Sequence, residues 1–144
     1  MKQLAHFIKV FVVKFNQFGQ EELLKQPAAD KWCKKEILGH LIDSAINNLK
    51  RFTDIQFLPQ PYIVQSYRQN ELVQVNNDVN LPLEHLLSLW QLLNRQIFFI
   101  VENIPAGKFH YPVNPQYDNN EMKTLGWIIC DYGAHMEHHW KQVV

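Results

Sequence analysis

Residues 34–52, KKEILGHLIDSAINNLKRF, decide how the rest of the chain is read. Leu38, Leu41, Ile42, Ala45, Leu49 and Phe52 recur at three- and four-residue steps and form one apolar stripe, the pattern of an amphipathic helix. The other side of this helix carries His40, Asp43, Asn47 and Arg51, and periodicity alone exposes that side to solvent. The alternative is that it lines a cleft beside another helix, with His40 in a site and Asp43 and Ser44 as neighbours. Gly39 costs a helix interior about 1 kcal/mol against Ala, and a close backbone approach would account for it.

Three further helices follow the same logic. Upstream, Leu4, Phe7, Ile8, Phe11, Val12, Phe15 and Phe18 mark a first helix, which ends near Gly19 or restarts through Glu21–Lys25; QPAAD then breaks the chain. Downstream, Pro59, Pro61 and the polar run QVNNDVN predict a long crossover over 57–81, with room for a short helix around 66–73. Pro82 opens a third long helix, LEHLLSLWQLLNRQIFFIVENI, which stops before Pro105. A loop rich in Pro and Asn, AGKFHYPVNPQYDNNEM, precedes Thr124, a capping residue for the last helix, TLGWIICDYGAHMEHHWKQV. With no strand pattern and no internal repeat, the expectation is an all-α bundle forming one domain over residues 1–144.

Composition agrees with a packed globular chain and narrows its partners. Of the 144 residues 47% are hydrophobic, enough for one core. Lys plus Arg and Asp plus Glu balance at 14 each, so no net field draws the chain to nucleic acid or an anionic membrane. Lys2, Lys9 and Lys14 interrupt the apolar N-terminus, which fits neither a signal peptide nor a membrane span. Cys33 and Cys130 have no paired spacing and read as free thiols of a reducing compartment, so the expected location is cytoplasmic.

Three of the seven histidines fall between positions 135 and 139. His135 and His139, four residues apart, point within about 40° of each other on the flank of the stripe formed by Leu125, Ile128, Ile129, Tyr132, Met136, Trp140 and Val143. Two histidines at this spacing are the helical half of many metal sites, although an ordinary surface cluster produces the same pattern. His138 faces outward. The order HMEHH is not HExxH, which argues against a metalloprotease. His6 and His85 stand alone on amphipathic helices, and His110 lies in a loop that either packs or covers the site mouth.

The two motifs together resemble the DinB-like superfamily and, within it, the YfiT-type proteins. Trp32 followed by His40, Asp43 and Ser44 is similar to the family's first motif, and His135 and His139 are similar to its closing helix, with the order of elements agreeing along nearly the whole chain. Cys33 departs from the pattern where the family often has a small hydroxyl residue, which puts the helix cap in question. The resemblance implies an up-up-down-down four-helix bundle with a long crossover after helix two, commonly homodimeric. It also implies one divalent metal ion, nickel or zinc, held by His40, His135 and His139 with open positions left. The implied function is a metal-dependent thiol S-transferase that activates a low-molecular-weight thiol. The alternatives are a metal-dependent hydrolase that activates water and a non-catalytic, metal-stabilised binding protein. Asp43, His138 and Tyr132 are candidate proton carriers; no catalytic residue is singled out. The partner is a small-molecule thiol or hydrolysable substrate, with neither nucleic acid nor membrane.

Overall fold

The computed structural model describes residues 2–144, and its frame is four long helices. They are α1 (Lys2–Gln17), α3 (Lys34–Asp54), α5 (Leu83–Glu102) and α6 (Leu125–Val143); α2 (Gln20–Leu24) and α4 (Gln69–Asn76) are short helices in the connections. The apolar stripes meet in one cluster. Phe11 stacks on Trp90 at 4.1 Å and on Phe15 at 4.7 Å, while Phe7 meets Trp140 edge-on, so aromatic contacts link α1, α5 and α6. α3 packs most extensively on α5, with Leu38, Leu41, Ala45 and Phe52 fully buried between them.

Capping follows the sequence at one end and departs from it at the other. The backbone N–H of Trp127 donates to the Thr124 hydroxyl at 3.2 Å, which starts α6 as expected. At the start of α3, Cys33 supplies no side-chain cap; its backbone N–H instead donates to Glu36 Oε1 at 3.1 Å. The departure at Cys33 is thus compensated from inside the helix.

Two expectations need correction. The long connections are not free of strand: β1 (Tyr62–Ile63) pairs in parallel with β2 (Pro112–Asn114), and β2 pairs antiparallel with β3 (Lys123–Thr124). The register joins Tyr62 to Val113 and Val113 to Lys123, so the α3–α5 crossover is fastened to the loop before α6. Strands of two or three residues are too short to leave an alternating pattern in sequence. The short crossover helix also lies slightly later than expected, at Gln69–Asn76.

The second correction concerns the polar side of α3. It is not exposed: every residue from Ile37 to Ala45 is buried, including His40 at 0% and Asp43 at 5%. α4, the 3-10 turn Asp78–Asn80 and α6 cover this side, and a wheel drawn for one helix in water cannot represent that cover. Gly39 marks the tightest point, since a Cβ there would overlap the Asp78 carboxylate. The close approach suggested by the mid-helix glycine is therefore present, made by the Asp78 side chain rather than by backbone.

Candidate metal centre

α3 and α6 cross so that His40 meets the flank of the last helix carrying His135 and His139. His40 Nε2 lies 3.1 Å from His135 Nε2, and His139 Nε2 lies 3.1 Å from the same atom. All three donor atoms fall within 4.8 Å of one another. The rings meet edge to face at 4.6–5.0 Å between centroids. His138, by contrast, is exposed, and His110 ends an exposed 3-10 turn outside this group.

A neighbouring carboxamide decides which nitrogen of His139 carries the proton. The Gln142 carboxamide hydrogen-bonds His139 Nδ1 through Oε1 at 2.8 Å and His138 Nε2 through its own Nε2 at 3.2 Å. An amide oxygen only accepts, so His139 Nδ1 is the protonated nitrogen and its Nε2 keeps a bare lone pair. His135 Nδ1 lies 3.4 Å from the Ser44 hydroxyl, which can donate to it or accept from it. His40 is oriented by packing instead: its ring lies 4.7 Å from Trp32, and its buried Nδ1 has no hydrogen-bond partner among the described residues.

Three ring nitrogens this close are reconciled by an N–H···N bond between neutral rings, by an added proton or by a cation between them. Protonation is a poor answer here, because burial, reinforced by the other histidines, lowers the pKa of His40 to about 3 and that of His135 to about 4. Burial also lowers His139, partly offset by its bond to Gln142. A divalent ion fits the donor set. Imidazole nitrogens on one tetrahedral ion, with bonds of about 2.0–2.1 Å, stand about 3.3–3.4 Å apart, close to the 3.1 Å that separates His135 from each of the other two.

One wall of a cavity of about 230 Å³ is formed by His135. Ser44, Asn48 and Arg51 continue that wall along α3, while Tyr67 and Tyr117 come from the two connections that the small sheet joins. Burial holds the Tyr67 phenol above its usual range, and the Ser44 hydroxyl and the Arg51 charge act against that shift. The cavity is at the small end for a ligand pocket and opens beside the histidines.

No protein-family model matches the chain, and no curated protein does. Among solved structures, YfiT from Bacillus subtilis superposes with a TM-score of 0.77, covering 96% of this chain and 82% of that one. The fold is of the YfiT type. Sequence identity is 19%, so this likeness speaks to the fold. YfiT itself is described as a probable metal-dependent hydrolase with an unusual four-helix bundle topology. The four-helix bundle suggested by the two sequence motifs is therefore the fold the chain adopts, and it is similar to that of YfiT. Among the described residues no helix is long and apolar enough to cross a membrane.

Of the candidate proton carriers, none stands free at the histidines. Asp43 Oδ1 accepts from Asn76 Nδ2 at 3.1 Å, on the side of α3 where Asp78 approaches, and burial with the Asp78 charge raises its pKa to about 6. Tyr132 donates to the buried Asn94 Oδ1 at 2.7 Å, and burial drives its phenol far up. Sequence reasoning missed Tyr67 and Gln142. Gln142 was accessible through its i+3 spacing from His139, whereas Tyr67 lies in an irregular segment with no periodic signal.

Proposed function

We propose that the chain is a divalent-metal-dependent enzyme that binds its ion through His40, His135 and His139 and hydrolyses a small molecule held in the adjoining cavity. The observation that carries this reading is the convergence of three imidazoles whose ligand nitrogens lie within 4.8 Å of one another, with His135 among them lining that cavity. An ion held by neutral ligands keeps its full charge and, when bound, makes a coordinated water or thiol far more acidic. Zinc and nickel both suit an all-imidazole set.

The protein's own part is positioning. Gln142 holds His139 in the tautomer that presents Nε2, Ser44 meets the His135 ring at Nδ1, and Trp32 packs against the His40 ring at a tilt. The Tyr67 phenol lies beside Ser44, within the cavity, where it can donate a hydrogen bond to a bound oxygen. Likeness to a protein described as a probable metal-dependent hydrolase supports this reading.

A second reading is transfer of a low-molecular-weight thiol, favoured by the placement of the carboxylates. Among the described residues the cavity has a single lining carboxylate, Asp131, which is exposed and bonded to the Tyr117 hydroxyl at 3.3 Å. A thiol is acidic enough to ionise at a divalent ion without a carboxylate base. Protein reconstituted with zinc or nickel is assayed with activated esters, then with a set of thiols and a chromogenic electrophile. The hydrolase reading expects ester turnover abolished in the His135→Ala, His139→Ala double variant. Thiol-dependent turnover alone transfers the assignment to the second reading. No turnover in either assay, or no ion retained, removes the enzymatic proposal.

A further inference from the structure

Arg51 lies three residues beyond Asn48 and seven beyond Ser44, on the face of α3 that lines the cavity. A connected polar row runs from the histidines to it. Ser44 Oγ meets His135 Nδ1 at 3.4 Å, Asn48 Nδ2 donates to Ser44 Oγ at 3.4 Å, and Arg51 Nη1 donates to Asn48 Oδ1 at 3.5 Å. Arg51 Nη2 donates to the Gln65 carbonyl at 2.7 Å, and the guanidinium lies over the Tyr67 ring at 5.6 Å. These contacts fix the side chain's direction but use only two of its five N–H groups.

Its charge is unpaired. Among the described residues no carboxylate comes within ion-pair distance of Arg51; the ion pairs present are Lys50–Asp54, Lys123–Glu121 and Lys141–Glu137. A half-buried guanidinium held against an aromatic ring, with free donors facing a cavity, is suited to a planar anion. One positive charge, with Asp131 at the same cavity's rim, matches a singly charged carboxylate better than a phosphate dianion. Seven residues of helix separate the level of Ser44 from that of Arg51, a rise of about 10 Å.

We propose that Arg51 binds the carboxylate of a small substrate whose reacting atom sits at the histidine cluster beside His135, which is level with Ser44 and about 10 Å away along α3. This assignment rests on the metal-site reading above and adds the substrate class: a short molecule with an anionic group at the end remote from the reaction.

Thiols supply probes for the test because sulfur seeks an imidazole-bound divalent ion whichever reaction the site performs. Zinc-loaded full-length protein is titrated calorimetrically with 8-mercaptooctanoate and its methyl ester, and with the shorter 3-mercaptopropionate and its methyl ester. The long acid is expected to bind at least about tenfold more tightly than its ester, the gain of a charge-assisted bond, and the short acid to show no such preference. In Arg51→Gln the long acid's preference is lost while zinc affinity and ester binding are unchanged; Arg51→Lys retains part of it.

Equal binding of the long acid and its ester to the wild type, or a preference that survives in Arg51→Gln, overturns the assignment. Ester binding without acid preference removes the role of Arg51 and leaves the metal site standing. Failure of every thiol to bind the zinc-loaded protein removes both. Should Arg51→Gln not fold by circular dichroism, the length and charge series on the wild type decides alone.

Discussion

Metal affinity in this centre is expected to fall by less than about thirtyfold between pH 7 and pH 5. Each histidine must be deprotonated to bind an ion, so protons compete with the metal. For three histidines at the ordinary value of about 6.5, competition at pH 5 amounts to about thirtyfold per ring, or about four and a half decades for the set. Here burial holds His40 at about 3 and His135 at about 4, so both are already proton-free at pH 5. The only remaining competition is at His139, which is lowered less decisively because Gln142 opposes the shift. The total loss is therefore less than about thirtyfold. Zinc affinity measured at pH 7 and pH 5, by competition with a chelator calibrated at both values, gives the answer. A fall of about a thousandfold or more would refute the claim that a buried, proton-poor trio binds the ion.

Other perturbations separate the site from its supports. Asp43 has its pKa raised above 3.8 to about 6, so its contribution is complete below the lower value and is lost as pH rises through the upper one. Asp43→Asn, which keeps an acceptor for Asn76, should stabilise the metal-free protein at pH 7.5 by up to about 2 kcal/mol and have no effect at pH 4; chemical denaturation at both pH values tests this. Gly39→Ala should lower stability by about 1–3 kcal/mol in spite of alanine's better helix propensity, because the new methyl meets Asp78; a raised melting temperature would contradict the close approach. Gln142→Ala should weaken zinc binding by about tenfold or more, read by the same competition assay, because the proton on His139 is no longer held at Nδ1. Tyr132→Phe should cost about 1–3 kcal/mol by stranding buried Asn94, with zinc affinity unchanged, which distinguishes a structural hydroxyl from a proton carrier.

The four long helices were legible because each carries a stripe of large apolar residues at helical spacing, and Thr124 was legible because capping is local chemistry. His135 and His139 could be paired for the same reason: four residues on one helix fix their relation without knowledge of anything else. His40 could not be paired with them. Its burial depends on a turn near Asp78 and on α6, both far away in sequence, so its own helix marks it as exposed while the family resemblance places it with the other two histidines. Gly39 signalled that something came close, but nothing in its surroundings named Asp78. The strands and Tyr67 were missed because segments of two or three residues carry no period.

The small sheet divides the molecule's evolutionary freedom. Three histidines stand on two long helices whose buried faces tolerate little change, whereas much of the cavity's far side comes from Val64, Tyr67, Pro115 and Tyr117 in the connections that the sheet pins together. An insertion on either side of β2 would reshape the mouth while leaving His40, His135 and His139 in register. The shape of the cavity's far wall is thus set by loops that can change independently of the helices on which the three histidines stand.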